Sequence, residues 1–237
     1  MQIFFILYKS SVPGNIGAAA RALKTMGFSR LRLIDPCSHL SEEAKMLAHA
    51  SHEILENAEI FESFEESIKD LDFLIGTTAK KRSVKTDYIE ASRLSELLES
   101  KGSQLKNAGI VFGTEESGLP NEILKKCDIA STIPMKTQYP SLNLGQAVML
   151  YAYELSMSRT HREVKTKKEN SSYRELKRKV PELLKNIGIP DEMPLHSRIL
   201  ERISHMNAAD INMLHSVSSR LEKLLAKLRG TDNKLKD

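Results

Sequence analysis

The chain has 237 residues, of which 41% are hydrophobic and 28% charged, enough apolar material for a core and too much for wholesale disorder. That length suits one main domain with a smaller appendage, and no apolar run reaches the ~18 residues that a membrane span needs. The net charge of +4 lies wholly in the C-terminal third, where 17 Lys+Arg face 11 Asp+Glu in residues 160–237, against 18 and 20 before it.

The opening MQIFFILYKS has no basic segment before it and no small-residue cleavage site after it, so it reads as a first strand rather than a signal peptide. Apolar runs of strand length fall at residues 3–8, 31–34, 73–76, 108–113 and 129–134. Helix-period segments lie between them: 16–26, rich in Ala and stopped by Gly27; one beginning near Ser41 with Glu42 and Glu43 in its first turn; then 64–69, 88–100, 121–126 and 143–158. Strands that are apolar on both faces and alternate with helices imply a parallel sheet covered by helices, an α/β fold over residues 1–158. Residues 159–172 are polar and basic without an apolar period, and read as a linker. Residues 173–186, 195–206 and 208–229 are helical in period, which makes 173–237 a helical C-terminal extension with a frayed tail after Gly230. The last helix carries an apolar stripe from Ile211 through Leu214, Val217, Leu221, Leu224 and Leu225 to Leu228, expected to be a packing face.

In an open α/β sheet the ligand lies beyond the carboxyl ends of the strands, and three unusual segments occupy such places. The first follows the first strand: Gly14, Asn15, Gly17 and three alanines, with Arg21 about two turns into the helix. Asn15 is a good N-cap, and the small residues permit a close approach. A dinucleotide-binding loop would use Gly14, Gly17 and Asp35, but the leading glycine of that fingerprint is missing. The second, VFGTEESGLP at 111–120, has the glycine spacing of a phosphate loop. Glu115 and Glu116 between Gly113 and Gly118 would repel phosphates, so Glu115 is expected to accept hydrogen bonds from loop amides or to meet a cationic ligand. The third, IPMKTQYPSLNLGQA at 133–147, suggests a helix start with Ser141 as N-cap and Asn143 in the first turn. A fourth, GTTAKKR at 76–82, pairs small residues with cations that suit RNA phosphates. Taken alone, the first is equally a capped helix packed tightly on the sheet, the second a solvent-facing acidic turn, the third a helix cap that explains Ser141 better than Asn143, and the fourth a polar loop.

Together they resemble the SpoU/TrmH class of the SPOUT superfamily of RNA ribose 2′-O-methyltransferases. Asn15, Gly17 and Arg21 meet that family's first motif, Gly113, Glu115 and Gly118 its second, and Ser141, Leu142, Asn143 and Ala147 its third. The ALKTMGF and PSLNLGQAV wording is most similar to the TrmJ-type branch of tRNA methyltransferases, although Thr114 stands where the branch usually has Arg. The resemblance implies a deep trefoil knot, a homodimer, and S-adenosylmethionine held by Thr77, Thr78, Ala79, Gly113, Ile133, Pro140, Ser141 and Leu142. It assigns catalysis to Arg21, Asn15, Glu115, Ser141 and Asn143, with RNA as substrate, tRNA and its anticodon loop foremost or else rRNA. Asn15, Ser141 and Asn143 would orient the ribose and Arg21, and Glu115 would position the loops or Arg21.

The residues themselves bound this reading. Cys37 and Cys127 form neither a disulfide framework nor a zinc pattern, and the seven His are scattered, so a cytoplasmic enzyme without a metal is expected. The absence of Trp and an aromatic content of 5% argue against a base-stacking platform. The rival readings are an NAD-dependent oxidoreductase and a catalytically idle RNA-binding protein of the same fold.

Overall fold

Apolar runs of four to seven residues bounded by glycines and polar turns pair most fully when both faces are covered, and the chain folds in that way. The computed structural model describes residues 1–137, 141–157 and 173–232. The expected basic linker and Pro140 lie outside them. In chain order the elements are β1 (Gln2–Tyr8), α1 (Pro13–Thr25), β2 (Leu31–Ile34), α2 (Glu42–Ala48), α3 (His52–Glu56), β3 (Glu59–Phe61), α4 (Phe64–Ser67), β4 (Phe73–Thr77) and β5 (Tyr88–Glu90). There follow α5 (Leu94–Ser100), β6 (Asn107–Phe112), α6 (Asn121–Lys126), β7 (Ile129–Thr132), α7 (Leu144–Ser156), α8 (Tyr173–Asn186), α9 (Pro194–Ser204) and α10 (Ala208–Asp232).

All strand pairs are parallel, in the order β3-β2-β1-β6-β4-β7-β5. The five strands visible as apolar runs are the central ones. The two that were not visible, β3 and β5, are the edges, three residues each; an edge strand has a neighbour on one flank only and needs no continuous apolar run. The helix expected over 88–100 is therefore corrected: its first three residues are β5, a 3₁₀ turn takes Ala91–Arg93, and α5 begins at Leu94. Strand β7 inserts between β4 and β5, so the connection 78–87 must pass over a strand that comes later in the chain.

Phe5, Phe112 and Tyr151 form the aromatic centre of the core. Phe5 and Phe112 stack at 6.2 Å, and Tyr151 meets Phe112 edge-on at 5.4 Å. One core position breaks the apolar rule. Arg32 in β2 is only 3% exposed. It forks onto Asp70 at 2.8 Å, reaches Glu59 at 3.0 Å, and its guanidinium lies 4.1 Å from the Phe4 ring centroid.

The chain divides into two compact units, and the short segment Ser100–Leu105 belongs with the C-terminal helices rather than with the sheet. In this second unit Lys101, fully buried, donates to the Met206 carbonyl at 2.9 Å and lies 5.0 Å from the Tyr173 ring centroid. Gln104 bonds Asn212 at 3.0 Å. Helix α10 runs through Gly230 to Asp232; the rest of the tail expected to fray lies outside the described residues. Among the described residues its apolar stripe is buried at Ile211 but exposed at Val217, Leu221 and Leu224, so the expected packing face does not hold along its whole length.

Candidate active site

The carboxyl ends of β4, β6 and β7 open onto a cavity of about 940 Å³, within the ~300–1,000 Å³ usual for small-molecule sites. Thr77, Thr78 and Ala79 leave β4 along one wall, Gly113 follows β6, Ile133 follows β7, and Ser141 and Leu142 precede α7. Seven of the eight residues expected to hold a ligand therefore line one space; the eighth, Pro140, lies outside the described residues. Phe112 and Tyr151 contribute apolar surface that the motifs did not single out. Tyr151 is 2% exposed, its hydroxyl bonds Ser131 at 3.1 Å, and burial pushes its ionisation far above the ordinary range. Its signal in the sequence was its helical spacing from Leu144 and Ala147, which mark the face of α7 turned to the cavity.

Small residues set the approach of the helices. A Cβ at Gly145 would lie 2.7 Å from the Ala18 side chain, so α7 closes directly onto α1. That closeness brings Asn143 to Asn15, and the Asn143 amide donates to Asn15 Oδ1 at 2.7 Å. Asn143 also caps α7: its Oδ1 accepts from the Gln146 N–H, and Gln146 accepts from the Asn143 N–H. The cap is thus Asn143 and not Ser141, which is exposed on the cavity wall. Asn15 is likewise no cap. Helix α1 starts two residues earlier, with Pro13 fixing the first turn, which leaves Asn15 free to reach across.

Glu115 closes the network. Its carboxylate accepts from the Ser10 hydroxyl at 2.5 Å, the Ser11 N–H at 3.1 Å, the Ser11 hydroxyl at 3.3 Å and the Asn15 amide at 3.2 Å. Partial burial opposes its charge, but the Ser10 hydroxyl, the Ser11 and Glu115 backbone N–H groups and the Asn15 amide outweigh it and hold the carboxyl below its usual range. A chain Ser10/Ser11–Glu115–Asn15–Asn143 therefore ties all three motif segments together. Glu115 holds loops; it makes no bond to Arg21. Arg21 stands apart from the other four. It is exposed, it does not line the cavity, and among the described residues its guanidinium has no hydrogen-bond or ion-pair partner.

The glycines explain themselves by packing. A Cβ at Gly17 would lie 2.1 Å from the Ala44 carbonyl oxygen, and one at Gly14 would meet Glu43 and Leu47, so both face α2. Asp35 pairs with Lys9 at 3.2 Å. Gly14, Gly17 and Asp35 do not line the cavity at the ends of β4, β6 and β7. Gly113 is needed for a different approach: its Cβ would lie 2.0 Å from the Leu119 nitrogen, where the loop folds back on itself. Thr114 ties that turn, exchanging backbone bonds with Gly118. Among the described residues no group of three or more His, Cys, Asp or Glu is placed to hold a metal ion, and no helix is long and apolar enough to cross a membrane.

Residues 2–153, which contain the sheet, the cavity and the Glu115 network, match the model of the SpoU rRNA methylase family. The chain belongs to that family. Residues 170–225 match the C-terminal domain of the tRNA/rRNA methyltransferase LasT. The chain is 38% identical over 228 residues to the uncharacterised tRNA/rRNA methyltransferase LasT of Escherichia coli, a match that covers 96% of this chain and 100% of the relative. It is 40% identical over 159 residues to the tRNA (cytidine-2′-O-)-methyltransferase TrmJ of Methanocaldococcus jannaschii, covering 65% of this chain and 67% of that one. A solved structure of a methylase family protein from Haemophilus influenzae aligns with a TM-score of 0.65 at 31% identity, covering 95% of this chain and 98% of that one.

Proposed function

We propose that this SpoU-family methylase transfers a methyl group from S-adenosylmethionine to a ribose 2′-hydroxyl of tRNA, in the anticodon loop, and that it works in the cytoplasm. The observation that carries the reading is the cavity: small and apolar residues such as Thr77, Ala79, Gly113, Ile133 and Leu142 along its walls together with charged residues of 80–82 and Glu115, aromatic surface from Phe112 and Tyr151, and the three-motif network at its edge. Such a lining suits an adenosine recognised by backbone hydrogen bonds and apolar contact. The relatedness to tRNA 2′-O-methyltransferases supports the same substrate class.

The donor, when bound, supplies a methyl on a positively charged sulfur, an electrophile that needs no metal. What this chain must supply is placement of the ribose and help for the departing proton. Glu115 is poorly suited to take that proton, because its carboxyl is held below its usual range and already accepts four hydrogen bonds. An arginine stays protonated at any working pH, so Arg21 stabilises the developing oxyanion and a neighbouring phosphate, and the proton passes to that phosphate or to water. Among the described residues Asn15 and Asn143 each keep one amide N–H beyond those already bonded, and with the exposed Ser141 hydroxyl these orient the ribose.

Arg21 lies off its own chain's cavity, which supports a site completed by a second copy. A homodimer would also cover Leu150 and Tyr153 on α7 and Met157 just after it, exposed at 37%, 47% and 67%. The insertion of β7 between β4 and β5, beneath the 78–87 connection, supports the deep trefoil knot of the superfamily. The basic C-terminal helices would hold RNA beyond the target nucleotide. Transfer of labelled methyl to separated tRNA and rRNA, followed by nucleoside digestion, tests the proposal. A 2′-O-methylnucleoside from the tRNA anticodon loop is the expected product; label on a base or no label at all would reject it, and label in rRNA would move the target.

A further inference from the structure

Arg82 is the last of three consecutive cations in the connection 78–87, a run that the sequence directs towards RNA phosphates. The three do not behave alike. Lys80 and Lys81 are exposed, with the Lys81 ammonium 5.9 Å from the Tyr88 ring centroid. Arg82 is half-buried and turned the other way. Its Nη1 donates to the Leu119 carbonyl at 2.5 Å and to Asn121 Oδ1 at 3.2 Å, and its Nη2 donates to the Ser117 carbonyl at 3.2 Å. Its main chain is anchored as well: the Arg82 N–H donates to the Tyr88 hydroxyl at 2.6 Å, and that hydroxyl donates to the Arg82 carbonyl at 2.8 Å. The backbone is held from β5, and the guanidinium holds the segment 117–121.

We infer that Arg82 is a positioning residue that clasps the 78–87 connection to the glycine loop 113–118, and so sets the affinity of the cavity for its methyl donor rather than for RNA. The inference rests on the reading of the cavity as a donor site. Both segments are walls of that cavity: Thr78 and Ala79 on one side, Gly113 and Gly118 on the other. Neither belongs to a helix or strand that would fix it, and loops hold a ligand only as well as their own ordering allows. Three acceptors spread over five residues need a planar fork; a single ammonium cannot meet them together. Gly118 makes the acceptors available. Its φ of +70° lets the carbonyls on either side of it turn to one guanidinium, and an added Cβ would lie 3.4 Å from Arg82 Nη2. A cation spent on three neutral acceptors is a weak partner for phosphate.

Two measurements on the full chain test the clasp, one without any ligand. In Arg82→Gln, backbone amide exchange across residues 113–118 rises about tenfold and the Kd for S-adenosylhomocysteine rises about tenfold, as expected for losing charge-assisted hydrogen bonds worth about one decade in equilibrium constant. Arg82→Lys restores neither, and Gly118→Ala reproduces both while adding little to Arg82→Gln. An unchanged thermal midpoint in Arg82→Lys separates the local effect from misfolding. Unaltered exchange in Arg82→Gln and Arg82→Lys overturns the clasp whatever binds in the cavity. Faster exchange with unaltered S-adenosylhomocysteine affinity, or a loss confined to RNA binding, overturns its role in holding the donor. Failure of the unmodified protein to bind S-adenosylhomocysteine rejects the donor site itself, and the exchange data then judge the clasp by themselves.

Discussion

Glu115 is a carboxylate whose whole environment is donors, and its behaviour in acid follows. Its folded carboxyl titrates below the ordinary value of 4.5, so its contribution to the folded state is complete above that pH and is lost as pH falls through the folded value. Amide exchange at Ser11 is expected to accelerate in that acid window in the unmodified protein, and to show a flatter pH response in Glu115→Gln. Arg21 differs in kind, since its guanidinium is exposed and unpaired among the described residues. Arg21→Lys keeps the charge but loses the planar fork. Its kcat is expected to fall about a hundredfold, the scale of losing one donor to a developing oxyanion, with S-adenosylmethionine binding unchanged in calorimetry. Near-normal turnover would remove the geometric role given to Arg21. The sequence singled out both residues, but it could not tell which was tied down, because that depends on what Ser10, Ser11 and Asn15 do about 100 residues away from Glu115.

At the scale of elements, helix contacts and one buried ion network position these groups. The Cβ-free surfaces of Gly17 and Gly145 let α2 and α7 close onto α1. Gly17→Ala would force a methyl into a backbone carbonyl, so a loss of about 1–3 kcal/mol in denaturant unfolding is expected. Arg32 inside β2 is held by Asp70 and Glu59 beneath the Phe4 ring. Asp70→Ala strips the forked partner from a buried charge, and about 3 kcal/mol or more of stability should go with it. Replacing Arg32 itself by Met should cost less, since it removes the charge along with its need for partners. Periodicity located the five inner strands and most of the helices. It missed β3 and β5 because an edge strand needs only one paired flank, and it extended a helix over β5 because Tyr88 and Ile89 fit either period.

On the scale of the whole molecule, the extent of each unit decides how RNA binding can be tested. Removing residues 160–237 would strip Lys101 and Gln104 of their partners Met206 and Asn212, although both precede β6 in the chain. Loss of RNA affinity in such a truncation would mix lost contacts with lost packing. Arg174→Gln together with Arg178→Gln on α8 is the cleaner variant, since both side chains are exposed. RNA affinity is expected to fall and the slope of log K against log salt to shrink by about two, with S-adenosylhomocysteine binding unmoved in calorimetry. Sedimentation at micromolar concentration should report a dimer, and charge introduced by Tyr153→Asp on the exposed face of α7 should shift it towards monomer.

By itself the amino-acid sequence determined that this is an α/β chain with a helical end, that its loops at the strand ends carry the three motifs of a ribose methyltransferase, and which small residues border the cavity. The first is local, since it follows from period and turn chemistry within a few positions; the motifs and the residues bordering the cavity were legible only through the resemblance to a family whose short patterns they match. Tertiary structure alone decided that Glu115 fastens the loops, that Arg82 faces inward while its neighbours face water, that Asn143 rather than Ser141 caps α7, and that Arg21 stands off its own cavity. The Asn143 cap closes on Gln146 three residues away, but the other three turn on groups far apart in sequence, whose spacing is set only when helices close over the sheet and which no local pattern encodes.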